Sequence, residues 1–233
     1  MPCAFILEAI GGFFTALFGA GFGAYAAYFL AKRQEEEKRR VECHGHAIAA
    51  FYTLLARYSA LENFRQKYLD ESRETLSNDY ALALVYQYCP RDPLSLRSLA
   101  FMGDSNDSDL LYALTVSEAR YFDFIDAYET RNADLKAAIF VLQGDGYSLG
   151  ELIPVALLDR PEVKFVFIQN GNLVRALKGA LKGVGEEVER LSASIKIRFE
   201  GLPAPYVATP NIEEANKQRL ATATSPLVGN DPS

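Results

Sequence analysis

A chain of 233 residues with 49% apolar residues has room for one ordinary domain with a real core plus appendages, and not comfortably for two. Its net charge of −6 argues against a nucleic-acid binder, which needs a basic face to meet phosphates. The three cysteines, Cys3, Cys43 and Cys89, are odd in number and show no paired spacing, so they read as reduced thiols rather than a disulfide framework.

The first element is residues 9–31, 23 residues without a charge between Glu8 and the pair Lys32-Arg33. A helix of that length covers roughly 30 Å, the thickness of a bilayer's hydrocarbon core. This predicts a single N-terminal transmembrane helix. Lys32, Arg33, Lys38, Arg39 and Arg40 follow the run and no Lys or Arg precedes it, which puts the N-terminus outside the inner (cell) membrane and the bulk of the chain in the cytoplasm. The rival reading, a cleaved signal peptide ending at Ala24-Tyr25-Ala26, lacks a basic n-region and has too long an apolar stretch. Within the run Gly12, Ala16, Gly19, Ala20, Gly23 and Ala27 stand at four-residue steps in two adjoining rows. Small residues so spaced let two helix backbones approach in lipid, so the anchor is expected to self-associate or to dock on another helix.

Residues 32–46 are expected to form a charged connecting helix. Lys32 with Glu36, Arg33 with Glu37 and Glu35 with Arg39 are spaced for i,i+4 support. From there Ile48, Phe51, Leu54, Leu55, Tyr58, Leu61, Phe64 and Tyr68 recur at three- and four-residue steps, a core-facing helix expected to end between Ser72 and Asn78. Residues 80–88 are short and apolar, and are read as a further helix broken by Pro90 and Pro93. A short helix over 94–102 and a capped turn over 103–108 lead into a long helix with Leu111, Leu114, Tyr121, Ile125, Tyr128, Leu135 and Ile139 on one seam. Glu118 and Asn132 occupy two positions of that seam, and with Arg120 and Arg131 they define an expected buried polar network, because a buried carboxylate or amide is costly unless paired.

Residues 143–161 carry three glycines and two prolines and read as the main irregular connection. Residues 163–170 have strand-like composition but lead into a coiled-coil-like stripe of Leu173, Leu177, Leu181, Val184, Val188, Leu191, Ile195 and Phe199. Residues 201–233 are polar and proline-punctuated, and are expected to be a disordered tail. The chain thus divides into an anchor (1–31), a connecting helix (32–46), an all-α bundle of about four helices (47–200) and a tail (201–233).

One cluster has the residue types of a metal site: Glu42, Cys43, His44 and His46, which include both histidines of the chain. On a helix Glu42 and His46 share a face, as do Cys43 and His46, so zinc is the one cofactor to consider. No second ligand motif completes a tetrahedral set. No nucleophile elbow, phosphate loop or dinucleotide fingerprint is present, so no catalytic residue is assigned.

The anchor with its basic flank, Leu99-Ala100-Phe101, Leu110-Leu111-Tyr112-Ala113-Leu114, Glu118-Ala119-Arg120-Tyr121-Phe122 and Arg131-Asn132 together give a chain that resembles a group of bacterial single-pass membrane proteins with a cytoplasmic helical domain. The resemblance implies an architecture and no particular activity. The expected function is a membrane-anchored helical interaction or scaffold module, self-associating or bound to a membrane or cytosolic protein. A metal-dependent enzyme or sensor around His44 and His46, and an oligomeric membrane effector, are the alternatives.

Overall fold

The computed structural model describes residues 3–103, 108–144 and 159–205, without the side chains of 3–17, 78–79 and 108. The expected capped turn at 104–107, most of the irregular connection and the tail from 206 onward lie outside the described residues, as do the side chains of Gly12 and Ala16.

The described part is mostly helical. Three long helices carry it: α1 (Cys3–Tyr68), α3 (Ser108–Gly144) and α4 (Pro161–Arg198). Between α1 and α3 come a two-residue-per-strand hairpin, β1 (Leu69–Asp70) with β2 (Thr75–Leu76), a single turn α2 (Asn78–Ala81) and a 3-10 helix over Leu96–Met102.

The central helix is α4, which packs along both α3 and α1. Pro161 in its first turn supplies the fixed φ that starts a helix and overrides the strand-like composition of the residues after it. Val163, Val166, Asn170, Leu173, Val174, Leu177, Ala180, Val184, Val188, Leu191 and Ile195 then form its buried stripe at three- and four-residue steps. At Gly185 α4 lies tightly against α1, since a Cβ added there would stand 3.1 Å from the Tyr58 ring. Helix α1 answers with Phe51, Leu54, Leu61 and Phe64, each fully buried and each stabilising the fold by about 1.5–3 kcal/mol. Phe64 meets Phe124 of α3 edge-on at 5.2 Å, so the three helices share one core.

Contacts set the direction of every leg. Arg40 of α1 donates to Glu200 O beyond the end of α4, while Tyr58 faces Gly185, so α1 and α4 are antiparallel. Arg131 of α3 meets Asn170 while Arg120 lies against Gly183, so α3 and α4 are antiparallel too. Helices α1 and α3 therefore run the same way, and the chain between them must travel back along the bundle. After a turn at Leu82-Ala83 it does so as an irregular, extended segment over residues 84–94. The helix expected over 80–88 stops at Ala81, because the following residues alternate buried Val85 with exposed Tyr86 and Tyr88, the two-residue period of extended chain, and Pro90 and Pro93 bias the residues before them away from helix. The first bundle helix likewise ends at Tyr68, earlier than expected, where the hairpin begins. Its four-residue loop is bound by Asp70, whose Oδ1 accepts from Ser72 N–H at 3.0 Å, and is closed by Glu74 at a left-handed φ of 54°.

Beyond Asn132 and before Asn170 the helices α3 and α4 continue past the end of α1 as a two-helix projection. The 12 residues of α3 after Asn132 reach about 18 Å further. A small separate core of Leu135, Ala138 and Val166 holds the projection, covered by Leu82, Leu84 and Ile139.

At the other end, α1 emerges from the bundle. From Phe18 to Glu42 every described side chain is exposed. Among the described residues no helix is long and apolar enough to cross a membrane; counted from Phe18, the uncharged run meets Lys32 after 14 residues.

Candidate functional site

An extended segment inside a helical bundle has no neighbouring strand, so its backbone N–H and C=O groups must find partners elsewhere or cost free energy. Here side chains from the flanking helices provide them, chiefly from α3 and in reverse order along it. Arg131 donates through Nη2 to Tyr80 O at 2.6 Å and Ala81 O at 3.0 Å, and through Nη1 to Ala83 O. Asn132 accepts from Val85 N–H and donates to Val85 O. One turn earlier, the Tyr128 hydroxyl donates to Val85 O at 3.1 Å and accepts from Gln87 N–H at 3.1 Å. Tyr121 donates to Pro90 O at 2.9 Å, and Glu118 accepts from Leu94 N–H at 2.7 Å. From α1, Tyr68 both donates to Tyr86 O and accepts from Tyr86 N–H.

Of the expected network, Glu118 falls in one clamp and Arg131 with Asn132 in another, about 20 Å apart along α3. At the lower clamp Glu118 pairs with Arg57 of α1 at 3.2 Å, and Arg57 also donates to Asp92 O at 2.6 Å. Arg57 is fully buried, with its guanidinium 4.8 Å from the Tyr121 ring centre and 5.4 Å from that of Phe122. Its Nε and Nη1 have no partner among the described residues. At the upper clamp Arg131 is fully buried and its acceptors are carbonyl and amide oxygens, including Asn170 Oδ1 at 2.8 Å. Burial pushes its pKa down to about 10. Arg120 joins neither clamp; its side chain is exposed against Gly183.

Arg57 and Asn170 escape sequence reasoning. Arg57 falls on the apolar stripe of α1, three residues after Leu54 and four before Leu61, which is the one signal that could have marked it as buried. Asn170 falls likewise between Val166 and Leu173.

The chemistry of this site is that of a clamp. Burial pushes the Cys89 thiol up to about 11, so it stays protonated at neutral pH and is a poor nucleophile. Tyr121 is raised for the same reason. Arg91 and Glu129 pair across the rim of a shallow cavity of about 450 Å³ between the segment and α3.

The cluster Glu42, Cys43, His44 and His46 is split by its helix. Cys43 packs against the core, and the His44 ring stands edge-on to Phe199 at 5.2 Å with Nε2 3.0 Å from Pro203 O. Glu42 and His46 are exposed. Among the described residues no group of three or more His, Cys, Asp or Glu side chains is placed to hold a metal ion. Of the small-residue rows, Gly19, Ala20, Gly23 and Ala27 are exposed, and a Cβ added at Gly19 or Gly23 would meet nothing within 4 Å.

No family model matches this chain, and no curated protein or solved structure matches it significantly.

Proposed function

We propose that this chain is a membrane-anchored helical interaction module, single-pass, with its bundle displayed to the cytoplasm and its anchor self-associating. The observation that carries the reading is the continuity of α1. Its 66 residues form one unbroken helix that contributes Ala47 to Tyr68 to the core and leaves everything from Phe18 to Glu42 exposed. A helix whose side chains, among the described residues, stay exposed over so much of its length suits a stalk, and the 23-residue uncharged run near its start suits a bilayer. Because no break separates stalk from core, the bundle would be held rigidly, about 24 Å of helix separating Ala31 from Ala47.

The placement of exposed apolar residues supports the same reading. Phe140, Val141, Phe165, Phe167 and Ile168 are exposed on the projection, at the end of the bundle away from the stalk. That is where an anchored module would meet a cytosolic protein, and exposed Phe and Ile are residue types of interaction surfaces. Self-association rests on Gly19, Ala20, Gly23 and Ala27, with Gly12 and Ala16 continuing the rows in sequence.

The test is topology. Cys89 is a poor reporter because its thiol is half-buried and hard to ionise, so Ser59, an exposed residue of α1, is changed to cysteine in a background in which Cys3, Cys43 and Cys89 are all alanine. The protein should fractionate with membranes after alkaline wash, and a membrane-impermeant maleimide should label Ser59→Cys only after the cells are opened. Recovery in the soluble fraction, or labelling from outside, overturns the reading.

A further inference from the structure

Where α1 stops at Tyr68, the β-hairpin and α2 take over its place against α4, and they do not fill it. A cavity of about 500 Å³ remains, within the range of small-molecule pockets. Its floor is one face of α4, where Phe167, Asn170, Gly171, Val174, Arg175 and Lys178 follow one another at helical spacing. The opposite wall is Glu74, Thr75 and Leu76 of the hairpin with Ala81 of α2. Gly171 leaves the floor open, since a Cβ there would meet nothing within 4 Å.

The lining is divided by chemistry. Phe167, Gly171, Val174, Leu76 and Ala81 give an apolar bed. At the end towards Lys178 the charges gather: Lys178 Nζ lies 2.7 Å from Glu74 Oε2, and Arg175 donates through Nη1 to Asn172 Oδ1 at 3.3 Å. Among the described residues, two cations against one carboxylate leave this end with one positive charge in excess. Lys178 has three donor hydrogens and Arg175 five, more than these partners use.

We infer that this pocket binds a small organic monoanion, its apolar body on the Phe167–Val174 bed and its carboxylate between Arg175 and Lys178. A planar guanidinium accepts a carboxylate on two parallel N–H groups, and Lys178 adds a point charge beside it. Glu74 competes for Lys178. Its left-handed backbone, costly for a residue other than glycine, sits in the loop that delivers that carboxylate to the pocket rim.

The probe is 1-naphthoate, with 1-naphthalenemethanol as its uncharged counterpart, titrated by calorimetry into the full-length protein in zwitterionic lipid nanodiscs and corrected with empty discs. Naphthoate should saturate at one per chain and the alcohol should bind at least tenfold more weakly. Arg175→Gln should weaken naphthoate at least tenfold, Glu74→Gln should tighten it severalfold by releasing Lys178, and Gly171→Leu should abolish it by filling the floor. Arg175 and Glu74 are exposed, so these two variants decide the matter even if Gly171→Leu fails to fold. Absence of saturable naphthoate binding, equal affinity for the alcohol, or indifference to both charge variants overturns the inference. It does not depend on the membrane anchor and fails or stands separately from it.

Discussion

Asn132 brackets Val85: its Oδ1 accepts from Val85 N–H at 3.3 Å and its Nδ2 donates to Val85 O at 2.8 Å. A side-chain amide does for one residue what a neighbouring strand would do, and this is how a helix can flank an extended segment without leaving its backbone unsatisfied. Asn132→Leu should cost about 2 kcal/mol, because the Val85 N–H is buried without an acceptor while Val85 O keeps Tyr128. Urea unfolding measures it. Asn132→Asp, which keeps the acceptor and loses the donor, should retain part of the stability; a fall no smaller than that of leucine would show that the bracketing is not what holds the segment.

At the lower clamp the two charges are worth more together than apart. Glu118→Ala removes the carboxylate paired with a fully buried guanidinium and should destabilise by about 3–5 kcal/mol, whereas Arg57→Met combined with Glu118→Gln should cost much less than the sum of the single changes. A double-mutant cycle reads the coupling. Additive costs would mean that the pair contributes nothing beyond its packing.

Glu187 lies buried on α4, and burial raises its pKa despite the bond from Arg190 at 2.9 Å. With the folded-state pKa above the unfolded one, the folded form binds the proton more readily, so the stabilisation is complete below the unfolded value and is lost as pH rises through the folded value. Glu187→Gln should therefore raise the melting temperature at pH 7, and its advantage should vanish towards pH 4. An advantage independent of pH would assign the effect to packing instead.

Gly185 leaves room for the Tyr58 ring of α1 against α4. Gly185→Leu should cost about 1–3 kcal/mol by driving into the Tyr58 ring, and Tyr58→Ala should recover part of that loss in the double variant. No recovery would place the strain elsewhere.

The anchor prediction is separable from all of these. In bilayers the wild type should crosslink as a dimer or small oligomer, and Gly19→Ile with Gly23→Ile should reduce the crosslinked fraction by forcing the helix backbones apart. Equal association of the double variant would reduce the small-residue rows to composition.

Three long helices and their inward faces are legible in the sequence because helical periodicity is local: Phe51, Leu54, Leu61 and Phe64, or Leu173, Leu177, Val184 and Leu191, declare their face within two turns. Glu118 and Asn132 are visible as polar interruptions of such a stripe, since the free energy of burying them demands partners. The identity of those partners is not local. Residues 80–88 are apolar and free of proline, which suits a helix, yet Val85, Tyr86 and Gln87 are not helical and take their hydrogen bonds from Asn132, Tyr68 and Tyr128, up to 47 positions away. Arg57 is a charge that composition would put at the surface, and only the packed bundle encloses it. The pocket beside Gly171 exists because α1 ends at Tyr68 and a hairpin replaces it. Periodicity is a property of a segment, whereas the conformation of a segment whose backbone is satisfied by distant side chains is a property of the whole packed chain.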